Sequence, residues 1–157
     1  MLRLSVERFM SLSPYTVHRD LPLTAAHRLM HEQDIRHLPV VDRGHLIGVV
    51  SERDVRLLGN LRDVDLGRMT VEDAMKSDIF VVRPTANVQE VAYEMATRKL
   101  GTAIVVDPNK IVVGVFTTAD AMEALVGALT PAAQRGTDIR AHSDTREVRA
   151  GRGSRPA

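Results

Sequence analysis

The chain contains no cysteine and no tryptophan, and aromatic residues make up only 3% of its 157 residues. The lack of cysteine excludes disulfides, thiolate nucleophiles and cysteine-ligated zinc or iron–sulfur sites. The scarcity of aromatic side chains argues against the stacking platforms that bind single-stranded nucleic acids. A strong charge of either sign is also lacking, because 21 Lys and Arg stand against 20 Asp and Glu. This balance argues against nucleic acid as a partner of the whole chain.

Long hydrophobic runs are missing as well. No apolar stretch approaches the roughly 20 residues that a membrane span needs. Arg3 and Glu7 interrupt the beginning, where a secretory signal would be apolar. We therefore expect a cytoplasmic protein with no membrane partner. The 44% of hydrophobic and 26% of charged residues are typical of a folded domain with a buried core.

The sequence repeats itself at a separation of 65 residues, which changes to 66 after a predicted turn. Leu-Pro-Val-Val-Asp at 38–42 aligns with Ala-Ile-Val-Val-Asp at 103–107, and Gly48 aligns with Gly114. The register changes only where turn residues cluster, and a hairpin turn tolerates an insertion well. We infer two copies, 5–62 and 70–128, joined by a linker at 63–69.

Each copy has the same order of predicted elements: a short helix, a short strand, an amphipathic helix, two apolar strands joined by a turn, and a last helix. This order predicts an α+β fold in which each copy forms a small three-stranded sheet with two main helices. A unit of about 60 residues is marginally stable alone. We therefore expect the copies to pack about a pseudo-twofold axis as one module. The stretch 130–157 carries six Arg and no apolar periodicity, which predicts a disordered tail.

The main candidate for a binding site is a strand that ends in a hydroxyl residue and is followed by an acid three positions later. It reads Ser51-Glu-Arg-Asp54 in the first copy and Thr117-Thr-Ala-Asp120 in the second. One interpretation is structural, because a hydroxyl and an acid at this spacing form a helix capping box. The other is a ribonucleotide site, in which the helix N-terminus and the hydroxyl hold phosphate. The acid would then accept both ribose hydroxyls, and the residues alone leave both interpretations open.

With these motifs in the same order twice, the chain resembles the cystathionine-β-synthase (CBS) domain, which occurs in tandem pairs called Bateman modules. The resemblance covers roughly 5–128. It implies binding of an adenosine nucleotide such as AMP, ADP or ATP, with Asp54 or Asp120 on the ribose and Ser51 or Thr117 near phosphate. It places the base against the beginnings of the strands, at Thr16, Val17, Arg36, His37, Leu38 and Pro39, and in the second copy at Thr102 and Ala103.

The two copies are unequal in charge. Arg36, His37 and Arg53 give the first copy positive charge for a polyphosphate, and the second copy has Gly101 and Ala119 where the arginines stand. We expect the first copy to be the better phosphate site and the second to be weaker or empty.

The sequence shows no nucleophile–base pair, and the two motif acids lie in separate copies. His27 and His31 have the i, i+4 spacing of a two-histidine metal site, but no Glu lies between them and Arg28 is adjacent, so we interpret them as a solvated helix face. We therefore expect no catalytic residues, no metal site and no required cofactor. The resulting prediction is a non-catalytic regulatory module that binds an adenosine nucleotide in clefts between the repeats and signals occupancy to a separate, unidentified protein. Apolar positions in excess on the last helices, such as Leu57 and Leu125, together with the resemblance imply a homodimer. The alternative is a structural scaffold dimer with vestigial pockets and no ligand.

Overall fold

The computed structural model describes residues 4–130. The tail predicted for 130–157 therefore lies, except for Thr130, outside the described residues. Five α-helices follow in chain order: α1 (Leu23–Glu32), α2 (Glu52–Gly59), α3 (Val71–Ala74), α4 (Val88–Arg98) and α5 (Thr118–Leu129). The strands are β1 (Ser11–Leu12), β2 (Val17–His18), β3 (His37–Asp42), β4 (His45–Ser51), β5 (Val81–Val82), β6 (Thr102–Val106) and β7 (Val112–Thr117). Short 3-10 helices span Val6–Arg8 and Leu66–Arg68.

Each repeat builds one sheet of the same topology. In the first, β2 pairs parallel with β3, which forms an antiparallel hairpin with β4. In the second, β5, β6 and β7 repeat this arrangement. The predicted α+β fold with two tandem copies is thus confirmed. The second sheet carries one further strand, β1, which comes from the first copy and pairs antiparallel with β7.

The N-terminal segments of the two copies are exchanged. Val6, from the first copy, is buried in the core of the second sheet. Val71 and Ala74, from the second copy, are buried in the core of the first. Each core therefore contains residues of both copies, which explains why neither unit of about 60 residues has to be stable alone.

The repeated glycines make room for this exchange. A Cβ placed on Gly48 would lie 2.6 Å from the sulfur of Met75, and one placed on Gly114 would lie 2.5 Å from the sulfur of Met10. Both distances are shorter than a van der Waals contact. The two glycines are therefore required by the methionine of the other copy, which lies across the strand at each position.

A third apolar cluster joins the two sheets. Ile104, Val106 and Val115 of the second repeat are buried there, and Leu46 and Val49 of the first repeat pack against them. The two repeats therefore form one module about a pseudo-twofold axis. Within residues 4–130, no helix is both long enough and apolar enough to cross a lipid bilayer.

Candidate functional site

The first hydroxyl–acid motif lies where β4 ends and α2 begins. Ser51 is the extended N-cap residue, and its Oγ accepts a hydrogen bond from the Asp54 main-chain N–H at 3.2 Å. The same hydroxyl donates to Asp54 Oδ2 at 2.6 Å. The other carboxylate oxygen, Oδ1, lies 2.9 Å from Lys76 Nζ. The Asp54 side chain is only 11% exposed, so its carboxylate is held in one orientation by two partners.

These partners decide the protonation of Asp54. Burial raises the pKa of its carboxyl group, but the hydrogen bonds from Ser51 and Lys76 and the charge of Lys76 outweigh burial, so the pKa is lower than the ordinary value. Asp54 is therefore ionised at neutral pH. An ionised carboxylate accepts hydrogen bonds only, which is the chemistry that a pair of ribose hydroxyls requires.

The second motif has a different set of contacts. Asp120 Oδ2 accepts from the Thr117 main-chain N–H at 2.6 Å and from Thr117 Oγ1 at 2.9 Å. The Asp120 N–H lies 3.4 Å from Thr117 Oγ1, which completes a capping box. Burial raises the pKa of Asp120, and the hydrogen bonds from Thr117 offset this only in part. Ser11 occupies the position equivalent to Lys76, and among residues 4–130 Asp120 forms no ion pair.

A cavity of about 430 Å³ lies beside the first motif. Four predicted residues line it, namely Arg36, His37, Ser51 and Arg53, and so do Glu52, Arg56, Leu57 and Asn60. Residues 53, 56 and 57 follow helical spacing, which puts them on one face of α2, and Asn60 is the C-cap residue of that helix. All of these residues belong to the first repeat, whereas the prediction placed the site between the repeats. The second repeat comes close at Gly101, where a Cβ would lie 3.2 Å from His37 Nε2.

His37 does not supply the positive charge expected of it. Burial lowers the pKa of its imidazole, and the charges of Arg36 and Lys76 lower it further, although Asp54 opposes them. The ring is therefore neutral near pH 7 and offers hydrogen bonds only. The cationic groups of the cavity are Arg36, Arg53 and Arg56, and Arg56 forms an ion pair with Glu52 at 3.1 Å.

The residues predicted to meet the base fall into two groups. The side chains of Val17, Leu38 and Ala103 are buried in the cores and that of Pro39 is also buried, so only the main chain of these residues is available to a ligand. Thr16 is exposed just before β2. In the second copy, the Thr102 hydroxyl donates to the Phe116 carbonyl at 3.3 Å.

Sequence reasoning missed Lys76, Arg56 and Asn60. The helical spacing from Arg53 is a signal that would have found Arg56 and Asn60. Lys76 has no such signal, because its proximity to Asp54 follows from the exchange of segments. Its N–H and carbonyl pair with the main chain of Val49 at 2.9 and 3.0 Å, which fixes Lys76 beside β4.

Comparison with known families agrees with this architecture. The profile of the family described as CBS domain matches residues 6–58 and 71–127, which together are more than half of the chain. The chain belongs to the CBS domain family. A CBS domain-containing protein of Dictyostelium discoideum is 28% identical over 140 residues, which are 83% of this chain and 97% of that protein. An L-aspartate semialdehyde sulfurtransferase of Methanocaldococcus jannaschii is 27% identical over 116 residues. These cover 73% of this chain but only 22% of the sulfurtransferase.

Solved CBS structures share the fold of this CBS pair. The CBS domain pair of MJ0100, in complex with 5′-methylthioadenosine and S-adenosyl-L-methionine, has a TM-score of 0.72 at 26% identity, covering 81% of this chain and 99% of that one. CBSX2 in complex with AMP has a TM-score of 0.72 at 25% identity, with coverages of 80% and 99%. The CBS domain of a bacterial CNNM/CorC family Mg²⁺ transporter in complex with ATP has a TM-score of 0.68 at 25% identity, with coverages of 78% and 87%.

Proposed function

We propose that this CBS pair is a non-catalytic regulatory module that binds an adenosine nucleotide at the first motif. Asp54 accepts the ribose hydroxyls, Ser51 and the N-terminus of α2 receive phosphate, and Arg36 and Arg53 extend the phosphate site. The observation that carries the proposal is an ionised, oriented Asp54 carboxylate bonded to Ser51, which lines a cavity together with three arginines. Carboxylate for sugar and guanidinium for phosphate are the hydrogen-bonding groups that a nucleotide requires.

The solved relatives support the adenosine class. Their ligands are AMP, ATP, S-adenosyl-L-methionine and 5′-methylthioadenosine, which share an adenosine moiety and differ in the group attached to its 5′ carbon. The three arginines of this cavity favour a ligand that carries phosphate there. The second motif, where Asp120 is taken up by a capping box, is the weaker site.

The module acts through protein partners in this proposal. α5 exposes a row of apolar side chains, with Met122 at 59%, Val126 at 59% and Leu129 at 73% exposure. Leu57 of α2 is exposed at 56%. We assign these helices to a homodimer interface, and a separate regulated protein, located in the cytoplasm with this one, would detect nucleotide occupancy. No required cofactor and no chemical step is part of this function.

The competing function is a scaffold dimer without ligand, which the complete capping box at Thr117 favours for the second copy. A thermal-shift screen of AMP, ADP and ATP separates the two functions. A ligand present at 100 times its dissociation constant stabilises the folded state by about 2.7 kcal/mol, which is a clear rise in Tm. The scaffold function predicts no rise with any of the three nucleotides.

A further inference from the structure

A second cavity lies at the opposite ends of the strands, away from Ser51 and Thr117. It has a volume of about 340 Å³ and is lined by both repeats. His45 and Leu46 come from the beginning of β4, whereas Val82, Arg83, Val106 and Lys110 come from β5, the end of β6 and the second hairpin turn. The proposed nucleotide site does not use any of these residues.

The lining of this hairpin-edge cavity divides into an apolar floor and a basic rim. Val82 and Val106 are nearly buried, at 9% and 5% exposure. His45, Arg83 and Lys110 are exposed around them. Within residues 4–130, none of these three basic side chains forms an ion pair with a carboxylate.

Asp107 is the one acidic residue of the second hairpin, and its carboxylate bonds to the main chain of its own turn. Asp107 Oδ1 accepts the main-chain N–H groups of Asn109 and Ile111, at 2.8 and 2.9 Å. Arg83 Nη1 donates to the Asp107 carbonyl, not to its carboxylate. This contact anchors the guanidinium and leaves its other N–H groups for a ligand. Lys110 adopts a φ of +65° at the end of the turn.

The equivalent edge of the first repeat is neutralised within the protein. Asp42, which corresponds to Asp107, lies 3.2 Å from His18 Nε2 and 3.5 Å from Arg19. Arg19 also pairs with Glu72. In the second repeat the turn is one residue longer and its aspartate bonds to the turn backbone, and Pro84 stands where the first repeat has Arg19. The two repeats therefore differ in charge at this edge, although a pseudo-twofold axis relates their folds.

We propose that the hairpin-edge cavity binds a small aliphatic carboxylate. The anchored guanidinium of Arg83 matches the planar carboxylate group, and Lys110 and His45 add donors from two sides. The valine and leucine floor covers a short aliphatic body. A volume of about 340 Å³ is at the lower end of the range for small-molecule sites, which suits a ligand of a few carbons. This site is independent of the nucleotide site.

The test uses hexanoate as the probe, followed by amide and methyl NMR of the whole chain. We expect saturable shifts centred on Val82 and Val106. Acetate, which lacks the aliphatic body, should bind more weakly, and hexylamine, which has the opposite charge, should not bind. Lys110→Gln should weaken hexanoate about tenfold, as the loss of one charged hydrogen bond predicts. His45→Gln, on the first hairpin, should also lower the affinity for hexanoate.

Lys99→Gln is the matched control, because Lys99 is also an exposed lysine with positive φ, at 55°, but lies at the end of α4. It should bind hexanoate like the unchanged protein. The proposal is overturned if the shifts do not saturate, if Lys110→Gln and Lys99→Gln bind equally, or if AMP displaces hexanoate. Binding of hexanoate without competition from AMP supports it, whether or not AMP itself binds.

Discussion

The ammonium group of Lys76 lies 2.9 Å from the carboxylate of Asp54, although the two residues belong to different copies of the repeat. The exchange of N-terminal segments brings them together, because the main chain of Lys76 pairs with Val49, two residues before Ser51. The N-terminal segment of the second copy therefore contributes Lys76 to the site of the first copy. The equivalent pair in the second copy would be Ser11 and Asp120, and a serine carries no positive charge. Lys76 against Ser11 thus adds to the charge difference that Arg36 and Arg53 already make between the two motifs.

Replacing Asp54 by Asn should reduce the affinity for AMP about 10- to 100-fold, because hydrogen bonds to a charged acceptor contribute roughly 1.5–3 kcal/mol. Isothermal titration calorimetry measures the change. Asp120→Asn is the matched control and should alter the affinity of the first site by less than twofold. Equal losses in both variants would remove Asp54 from the ribose role.

Replacing Lys76 by Met should raise the pKa of Asp54 toward its ordinary value of 3.8. Because the pKa of Asp54 is lower in the folded than in the unfolded state, the ion pair stabilises the fold above the unfolded pKa, and this stabilisation is lost as pH falls through the folded pKa. Lys76 is 70% exposed, so screening by solvent limits the loss in the variant to about 0.5–1 kcal/mol near pH 7.

Urea unfolding of the Lys76→Met variant and the unchanged protein, at neutral pH and well below pH 3.8, measures this effect. The two proteins should differ in free energy of unfolding at neutral pH and converge in acid. A constant difference at both pH values would mean that Lys76 stabilises the fold through packing instead of through Asp54.

Replacing Gly48 by Ala should destabilise the fold by about 1–3 kcal/mol, the usual cost of overpacking a core. The new methyl group would lie 2.6 Å from the Met75 sulfur and 3.0 Å from the Lys76 carbonyl. Gly127→Ala is the control, because nothing lies within 4 Å of its Cβ position in α5. This helical substitution should stabilise the protein by up to about 1 kcal/mol. Thermal unfolding compares the two, and a neutral Gly48→Ala would refute the packing role of the repeated glycine.

Replacing Val126 by Glu should convert the proposed dimer into monomers, since a charge would be buried in an apolar interface. Light scattering coupled to size exclusion measures the mass. Tyr93→Glu, at an exposed position on α4, serves as the control and should remain dimeric. A monomeric unchanged protein at micromolar concentration, or dimers of the same stability in both variants, would rule out α5 as the interface.

The repeat predicted the fold well because its signals are local. The apolar runs at 38–42 and 103–107 and the capping residues Thr70 and Asn87 define strands and helix starts within a few residues. The exchange of segments could not be predicted in this way, because Val6 and Val71 are equally apolar whichever core receives them. The fourth strand of the second sheet depends on that exchange and was missed with it.

In the candidate site, too, sequence predicts the residues that belong to a local motif but not the contacts between distant segments. Ser51, Asp54 and Arg53 were predicted from the motif and Arg36 from the family resemblance. Ser51, Arg36 and Arg53 line one cavity, and Asp54 bonds to Ser51. The neutrality of His37 depends on burial near Arg36 and Lys76, which sequence does not encode locally. The cation on Asp54 depends on a residue 22 positions away in the chain, brought close by the main-chain bonds to Val49.

A crystal structure of the protein with bound AMP tests the nucleotide proposal most directly. Our account predicts electron density for AMP in the cavity of Arg36 and Arg53, with both ribose hydroxyls within hydrogen-bond distance of the Asp54 carboxylate. The phosphate should lie against Ser51 and the first turn of α2. An AMP molecule bound elsewhere, or one bound there whose ribose makes no contact with Asp54, would contradict it.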